Sequence, residues 1–237
     1  MIANKVVQRT TQVTTHTHEL VFAGDHVRLA GQIDYPTTPP PQGGYPLLFV
    51  LHHAGYDSRE WYWPYAQIGL ESGYAVFRWD KRGTGRSGGS GRGSTTQDAV
   101  NAYEIALEQE RINHHRAVIL AQGSGTALLG SSYGLFARVQ KPYGVLLISN
   151  MLNVDSILAV DTRIQIVMGN LDWNPWQQYA RAACAAHKLA YKHGADYYVV
   201  PGADRSIIHK NGHHYSLPLE AEAVIRNWLT ILCPTSE

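Results

Sequence analysis

The sequence predicts an α/β fold, a mostly parallel sheet of about eight strands with helices on both faces. Three observations predict it. Continuous apolar runs recur at residues 47–51, 75–79, 117–121, 145–149, 164–168 and 197–200, as expected of strands covered on both sides. Stripes at helical spacing fall between several of these runs. The composition, with 44% apolar and 16% charged residues in 237, suits one domain (1–237) with a sizeable core and excludes a disordered, collagen-like or coiled-coil chain.

In chain order, residues 18–23 and 27–35 read as a hairpin turning at Gly24-Asp25. The Pro/Gly-rich stretch 36–44 is a surface loop, because only one strand pair precedes it. After the second core strand comes a Gly/Ser/Arg-rich stretch, 83–94. Ala99, Val100, Tyr103, Ala106 and Leu107 make one helical stripe, with Thr95 or Thr96 as N-cap. Trp176, Tyr179, Ala180, Ala183, Cys184 and His187 make another. Ala221, Val224, Ile225, Trp228, Leu229 and Leu232 make the last, opening just after Pro218. Strand–helix alternation of this kind builds a parallel sheet. Active sites in such sheets lie at the carboxyl ends of the strands, so the strand exits are where chemistry is expected.

Other classes are excluded by composition. The net charge of +1 gives no field for nucleic acid or an acidic membrane. No apolar run approaches the length of a bilayer span. The N-terminus runs into Thr/Gln-rich sequence without an apolar signal core, and two cysteines, Cys184 and Cys233, make no disulfide framework. A cytoplasmic setting follows from these two readings. The paired histidines His16/His18, His114/His115 and His213/His214 lack acidic or Cys partners at ligand spacing, so no metal is expected. Gly83-Thr84-Gly85 lacks the Lys-Ser/Thr ending of a phosphate loop, and no cofactor is expected.

The exits read His52-His53-Ala54-Gly55, then Asp80-Lys81-Arg82-Gly83-Thr84-Gly85-Arg86-Ser87, then Gln122-Gly123-Ser124-Gly125-Thr126. Later exits read Gly169-Asn170-Leu171-Asp172 and Pro201-Gly202-Ala203-Asp204, with Gly212-His213 ahead of the last helix. These exits resemble those of the α/β-hydrolases, close to the serine aminopeptidase and small carboxylesterase branch, from about His18 to Leu232. Asp80 to Ser87 matches that family's Asp-x-Arg-Gly-x-Gly-x-Ser loop in full, and the order nucleophile, acid, His is reproduced. The resemblance implies a serine hydrolase acting on a carboxylic ester or related small acyl substrate. Ser124 would attack, His213 would shuttle the proton and Asp172 would orient the imidazole. His214 is the alternative base. Backbone N–H groups near Ala54 and Gly125 would hold the oxyanion.

Two departures leave a second reading open. The elbow that carries the nucleophile needs small residues two before and two after it. With Ser124 as nucleophile those sites hold Gln122 and Thr126; with Gly123 at the apex they hold Ala121 and Gly125. The second register fits sterically but supplies no nucleophile. Family members also often read Gly-Ala-Asp-His after the last strand, where this chain has Arg205, a permanent cation that cannot act as a base. Gly123 and Arg205 together describe a non-catalytic protein that binds a ligand or acts as a scaffold. His52 and His53 are expected to shape their loop, and Asp80 and Arg82 to form a structural ion pair. Residues 150–162 leave no room for the cap that many α/β-hydrolases insert, so the site is expected to be open and edged by Trp61, Tyr62, Trp63, Trp173 and Trp176.

Overall fold

The computed structural model describes residues 16–89, 91–212 and 214–233, with Asn174 described by its backbone alone. Its centre is an eight-stranded sheet. The strands are β1 (His16–Ala23), β2 (Arg28–Tyr35), β3 (Tyr45–Leu51), β4 (Ala75–Asp80), β5 (Ile112–Gln122), β6 (Gly144–Ile148), β7 (Arg163–Gly169) and β8 (Ala195–Val200). Their spatial order is β1-β2-β4-β3-β5-β6-β7-β8. The first hairpin pairs antiparallel, β2 joins β4 antiparallel, and β4 through β8 are parallel. A separate two-stranded hairpin is formed by β9 (His209–Asn211) and β10 (His214–Ser216).

The helices are α1 (Trp63–Glu71), α2 (Thr95–Leu107), α3 (Ser124–Gln140), α4 (Val154–Ile157), α5 (Asn174–Ala190) and α6 (Leu219–Leu232). Alternate residues of the middle strands feed two cores. Leu47, Phe49 and Leu51 of β3, with Ala117, Ile119 and Ala121 of β5, pack on the side of α2, α3 and α5. Leu48, Val50, Val118 and Leu120 pack on the side of α1 and α6. A strand that must be apolar on both faces shows the unbroken runs seen in the sequence. Each fully buried Leu, Ile or Phe contributes about 1.5–3 kcal/mol, so the middle strands hold the fold together.

One ion pair lies inside this core. Arg78 Nη2 donates to Asp34 Oδ2 at 2.7 Å, and both side chains are 1% exposed. Arg78 also donates to the carbonyl of Arg59 and lies 5.2 Å from the ring of Trp63.

Several expectations need correction. Helix α2 is capped by Ser94, whose side chain accepts from the Gln97 N–H, and not by Thr95 or Thr96. Arg82 does not pair with Asp80. It grips Asp98 of α2 with two bonds, 2.6 and 2.8 Å, while Asp80 accepts the backbone N–H groups of Arg59 and Arg86. The loop after β4 is thus pinned to α2 at one point and to the β4 end at another. Helix α1 and the β9–β10 hairpin are elements the sequence reading did not identify. Between β6 and β7 the chain holds only the four-residue α4. Among the described residues, no helix is long and apolar enough to cross a membrane.

Candidate functional site

Strands β3 and β5 are neighbours, yet β3 leads into α1 on one face and β5 into α3 on the other. Their carboxyl ends therefore part into a crevice, the place where ligands enter open α/β sheets. A cleft of about 520 Å³ lies there, lined by His53, Trp61, Gln122, Gly123, Leu171, Asp172, Trp173, Asp204, Arg205 and Ser206. The exits of β3, β5, β7 and β8 all contribute.

The floor is the β5–α3 turn. Gly123 has φ 54° and ψ −119°, a conformation costly for any residue with a Cβ. Its N–H donates to the Ile148 carbonyl at the end of β6, and its carbonyl accepts from the Thr126 N–H and hydroxyl. Ser124 is the first residue of α3 and is not among the residues lining the cleft. Two residues past the apex, a Cβ on Gly125 would lie 2.6 Å from the His52 carbonyl oxygen and 2.9 Å from that of Leu51. Helix and strand backbones almost touch there, and only glycine allows it. Ala121, two residues before the apex, is fully buried. Gln122 is buried too, its Nε2 donating to the Ser206 carbonyl at 2.7 Å.

The wall above is Asp172 and Arg205. Asp172 follows β7, and its Oδ1 accepts the Trp173 N–H at 2.7 Å and Arg205 Nη1 at 3.2 Å. The guanidinium lies 5.4 Å over the ring of Trp176. The backbone around Arg205 is held tightly. Ser149 Oγ donates to the Arg205 carbonyl, Gln122 holds that of Ser206, and Asp204 Oδ1 accepts from both the N–H and the hydroxyl of Ser206. Burial raises the Asp204 pKa, but the hydrogen bonds from the Ser206 hydroxyl and from the Ser206 and Ile207 N–H groups outweigh it and hold the carboxyl below its ordinary value. Buried Ile207 has φ 57°, a strained conformation for a β-branched residue.

The opposite wall is the loop after β3. Lys81 Nζ donates to the carbonyls of His53 and Gly55, and the His53 N–H donates to the Tyr62 hydroxyl. His53 Nδ1 accepts the Gly55 N–H at 2.8 Å, which places the ring proton on Nε2, 3.2 Å from Asp57 Oδ2. Burial lowers the His53 pKa, partly offset by Asp57. His52 lies between the rings of Tyr62 and Trp79, and burial, reinforced by the charge of Lys81, draws its pKa down to about 3. Burial likewise lowers the pKa of Lys81.

Of the sequence-derived candidates, Gly123, Asp172 and Arg205 meet at the cleft. Ala54 is exposed and outside its lining. His213 lies outside the described residues. His214 opens β10, is exposed and does not line the cleft. Of the five expected edge aromatics, Trp61 and Trp173 line it, Trp176 backs Arg205, Tyr62 is fully buried and Trp63 packs toward Arg78. Among the described residues, no three His, Cys, Asp or Glu side chains gather as metal ligands.

Solved structures match the chain along nearly its whole length. An α/β hydrolase from a Penicillium species is 12% identical with a TM-score of 0.65, covering 92% of this chain and 98% of its own. The chain has the α/β-hydrolase fold. An esterase from Pyrococcus furiosus shares that fold at 14% identity and TM-score 0.68, with 92% and 93% covered. So does a dienelactone hydrolase-like promiscuous phosphotriesterase from metagenomic libraries, at 13% identity and TM-score 0.69, with 92% and 98% covered. No protein-family signature matches the sequence, and no curated relative matches it. The α/β-hydrolase fold explains why the cleft sits at these strand exits; what happens in it depends on the side chains.

Proposed function

We propose that this α/β-hydrolase-fold chain binds a small carbonyl-bearing molecule in the cleft without a covalent step. The observation that carries the reading is the Gly123 turn. Its apex, at φ 54° and ψ −119°, faces the cleft with no side chain. The pair Arg205–Asp172 supports the same reading. The acid that would orient a base instead holds a guanidinium, which cannot take a proton from a nucleophile. A donor remains at hand for a carbonyl oxygen in Arg205, which lines the cleft and has one guanidinium nitrogen engaged by Asp172. The same proposal carries a cytoplasmic setting, as the sequence suggests.

A second reading is serine hydrolysis of an ester. Ser124 would be the nucleophile, His213 or His214 the base and Asp172 the orienting acid, with N–H groups at Ala54 and Gly125 holding the oxyanion. An oxyanion donor of that kind is worth roughly 3–4 kcal/mol. The esterase among the similar structures favours this reading.

A fluorophosphonate probe separates the two. The purified protein is incubated with the probe and its intact mass recorded. Binding without covalent chemistry leaves the mass unchanged. An adduct mapped to Ser124, and lost in Ser124→Ala, overturns the first reading in favour of the second.

A further inference from the structure

We infer that the cleft selects a carboxamide, a neutral group offering a carbonyl oxygen and an N–H on one edge. This deepens the non-covalent reading above and rests on it. Three sets of residues carry it.

The first is the donor. Arg205 is a fixed feature of the cleft wall, its backbone held by Ser149 and its neighbour Ser206 by Gln122. One guanidinium nitrogen is engaged by Asp172, and the side chain is 38% exposed where it lines the cleft. Arginine can only donate, so its remaining N–H groups call for an acceptor such as a carbonyl oxygen.

The second is a surplus of acceptors. Asp172 Oδ2 and Gln122 Oε1 are buried without a hydrogen-bond partner, and both residues line the cleft. Buried acceptors without partners are costly. A ligand N–H meets that need and an ester does not. Asp204, exposed at the same wall, presents a further carboxylate.

The third is charge. The lining carries Asp172 and Asp204 against Arg205, and burial favours a neutral His53. A carboxylate ligand would face two acids for one guanidinium, while an ammonium, though drawn by that excess of acid, offers no acceptor to the Arg205 N–H groups. A neutral amide satisfies donor and acceptors with no net charge. Trp61 and Trp173 supply aromatic surface for its body, and the bare Gly123 apex leaves the amide bond whole.

The test uses four ligands on one benzyl body: phenylacetamide, methyl phenylacetate, phenylacetate and 2-phenylethylamine. Affinities are measured on the full chain by ligand-observed NMR titration, and each ligand is recovered and analysed afterwards. Phenylacetamide is expected to bind about tenfold more tightly than any of the other three, the worth of one well-made hydrogen bond. Asp172→Asn should bring the amide and ester affinities together. If that variant melts early, Gln122→Met provides the same comparison. A carboxylate, amine or ester that equals the amide in the unaltered protein overturns the assignment, as does failure of the amide to saturate. Recovery of the ester as phenylacetic acid would instead overturn the non-covalent reading, while equal affinities with every ligand intact would overturn the amide alone.

Discussion

Three glycine-to-alanine changes probe the elbow on a common scale. At Gly123 an added Cβ lies 3.3 Å from the His53 Cβ, a contact relieved by a few tenths of an ångström. The dominant penalty is φ 54° with ψ −119°, worth about 1–3 kcal/mol for a residue with a Cβ. In a chain of this length that lowers Tm by roughly 2–12 °C. At Gly125 the obstacle is different. Its Cβ would lie 2.6 Å from a backbone carbonyl oxygen, which cannot swing away as a side chain can, so the loss should reach about 3 kcal/mol. Gly134, on the exposed side of α3, has nothing within 4 Å of an added Cβ, so alanine should stabilise by up to about 1 kcal/mol through helix propensity. Scanning calorimetry on the three variants should rank them Gly134→Ala above the unaltered protein, then Gly123→Ala, then Gly125→Ala. A Gly123→Ala protein melting within a degree of the parent would refute the strained apex, and with it the placement of Gly123 at the turn.

Other predictions follow from the same geometry. Asp34→Ala removes the nearer carboxylate from buried Arg78, leaving it Glu60 at 3.6 Å and the Arg59 carbonyl, and should cost about 3 kcal/mol, read as a lower urea midpoint; a loss under 1 kcal/mol would show that the pair contributes little. His52 has a folded pKa of about 3 against an ordinary 6.5, so between those values the unfolded chain binds the extra proton. Stability from this residue is therefore complete above about pH 6.5 and falls toward pH 3, by up to about 1.4 kcal/mol per pH unit. His52→Leu should flatten that acid limb in urea titrations at pH 5 and pH 7, and an unchanged slope would contradict it. The double variant Gly123→Ser with Arg205→His puts a hydroxyl on the apex and an imidazole beside Asp172. It should gain fluorophosphonate labelling at residue 123 that neither single change shows, and equal labelling of the Gly123→Ser variant would mean that Arg205 does not stand at the base position.

Much of the fold was legible in the sequence because the middle strands are apolar on both faces, and runs of four or five such residues between helical stripes fit a covered sheet. The limits of β5 were less so. Asn113–Arg116 are polar and mostly exposed, yet the strand begins at Ile112. Helix α1 was hidden because its entry carries no side-chain cap and its aromatics read as cleft edge. The β9–β10 hairpin carries no apolar alternation at all. At the site, the choice between Ser124 and Gly123 turned on whether Gln122 ends the strand. A polar residue there suggests a loop, yet Gln122 pairs with Ile148 of β6 as the last residue of β5, and its buried amide is met by the Ser206 carbonyl, 84 positions away. The Arg82–Asp98 and Arg205–Asp172 pairs are likewise tertiary facts. Sequence proximity pointed Arg82 to Asp80 instead, whose oxygens the backbone already occupies.

The residues around the cleft arrive from four strand exits, at positions 53, 122–123, 171–173 and 204–206, while both cores are built from the strands and helices behind them. Architecture and chemistry are thus written in different letters of the sequence. A lineage carrying this sheet can exchange a reacting centre for a receiving one, or reverse the exchange, at two positions more than eighty residues apart, with neither core repacked. Duplicated copies of such a chain would be free to part in purpose long before they part in shape, so a shared outline among relatives says little about shared substrates.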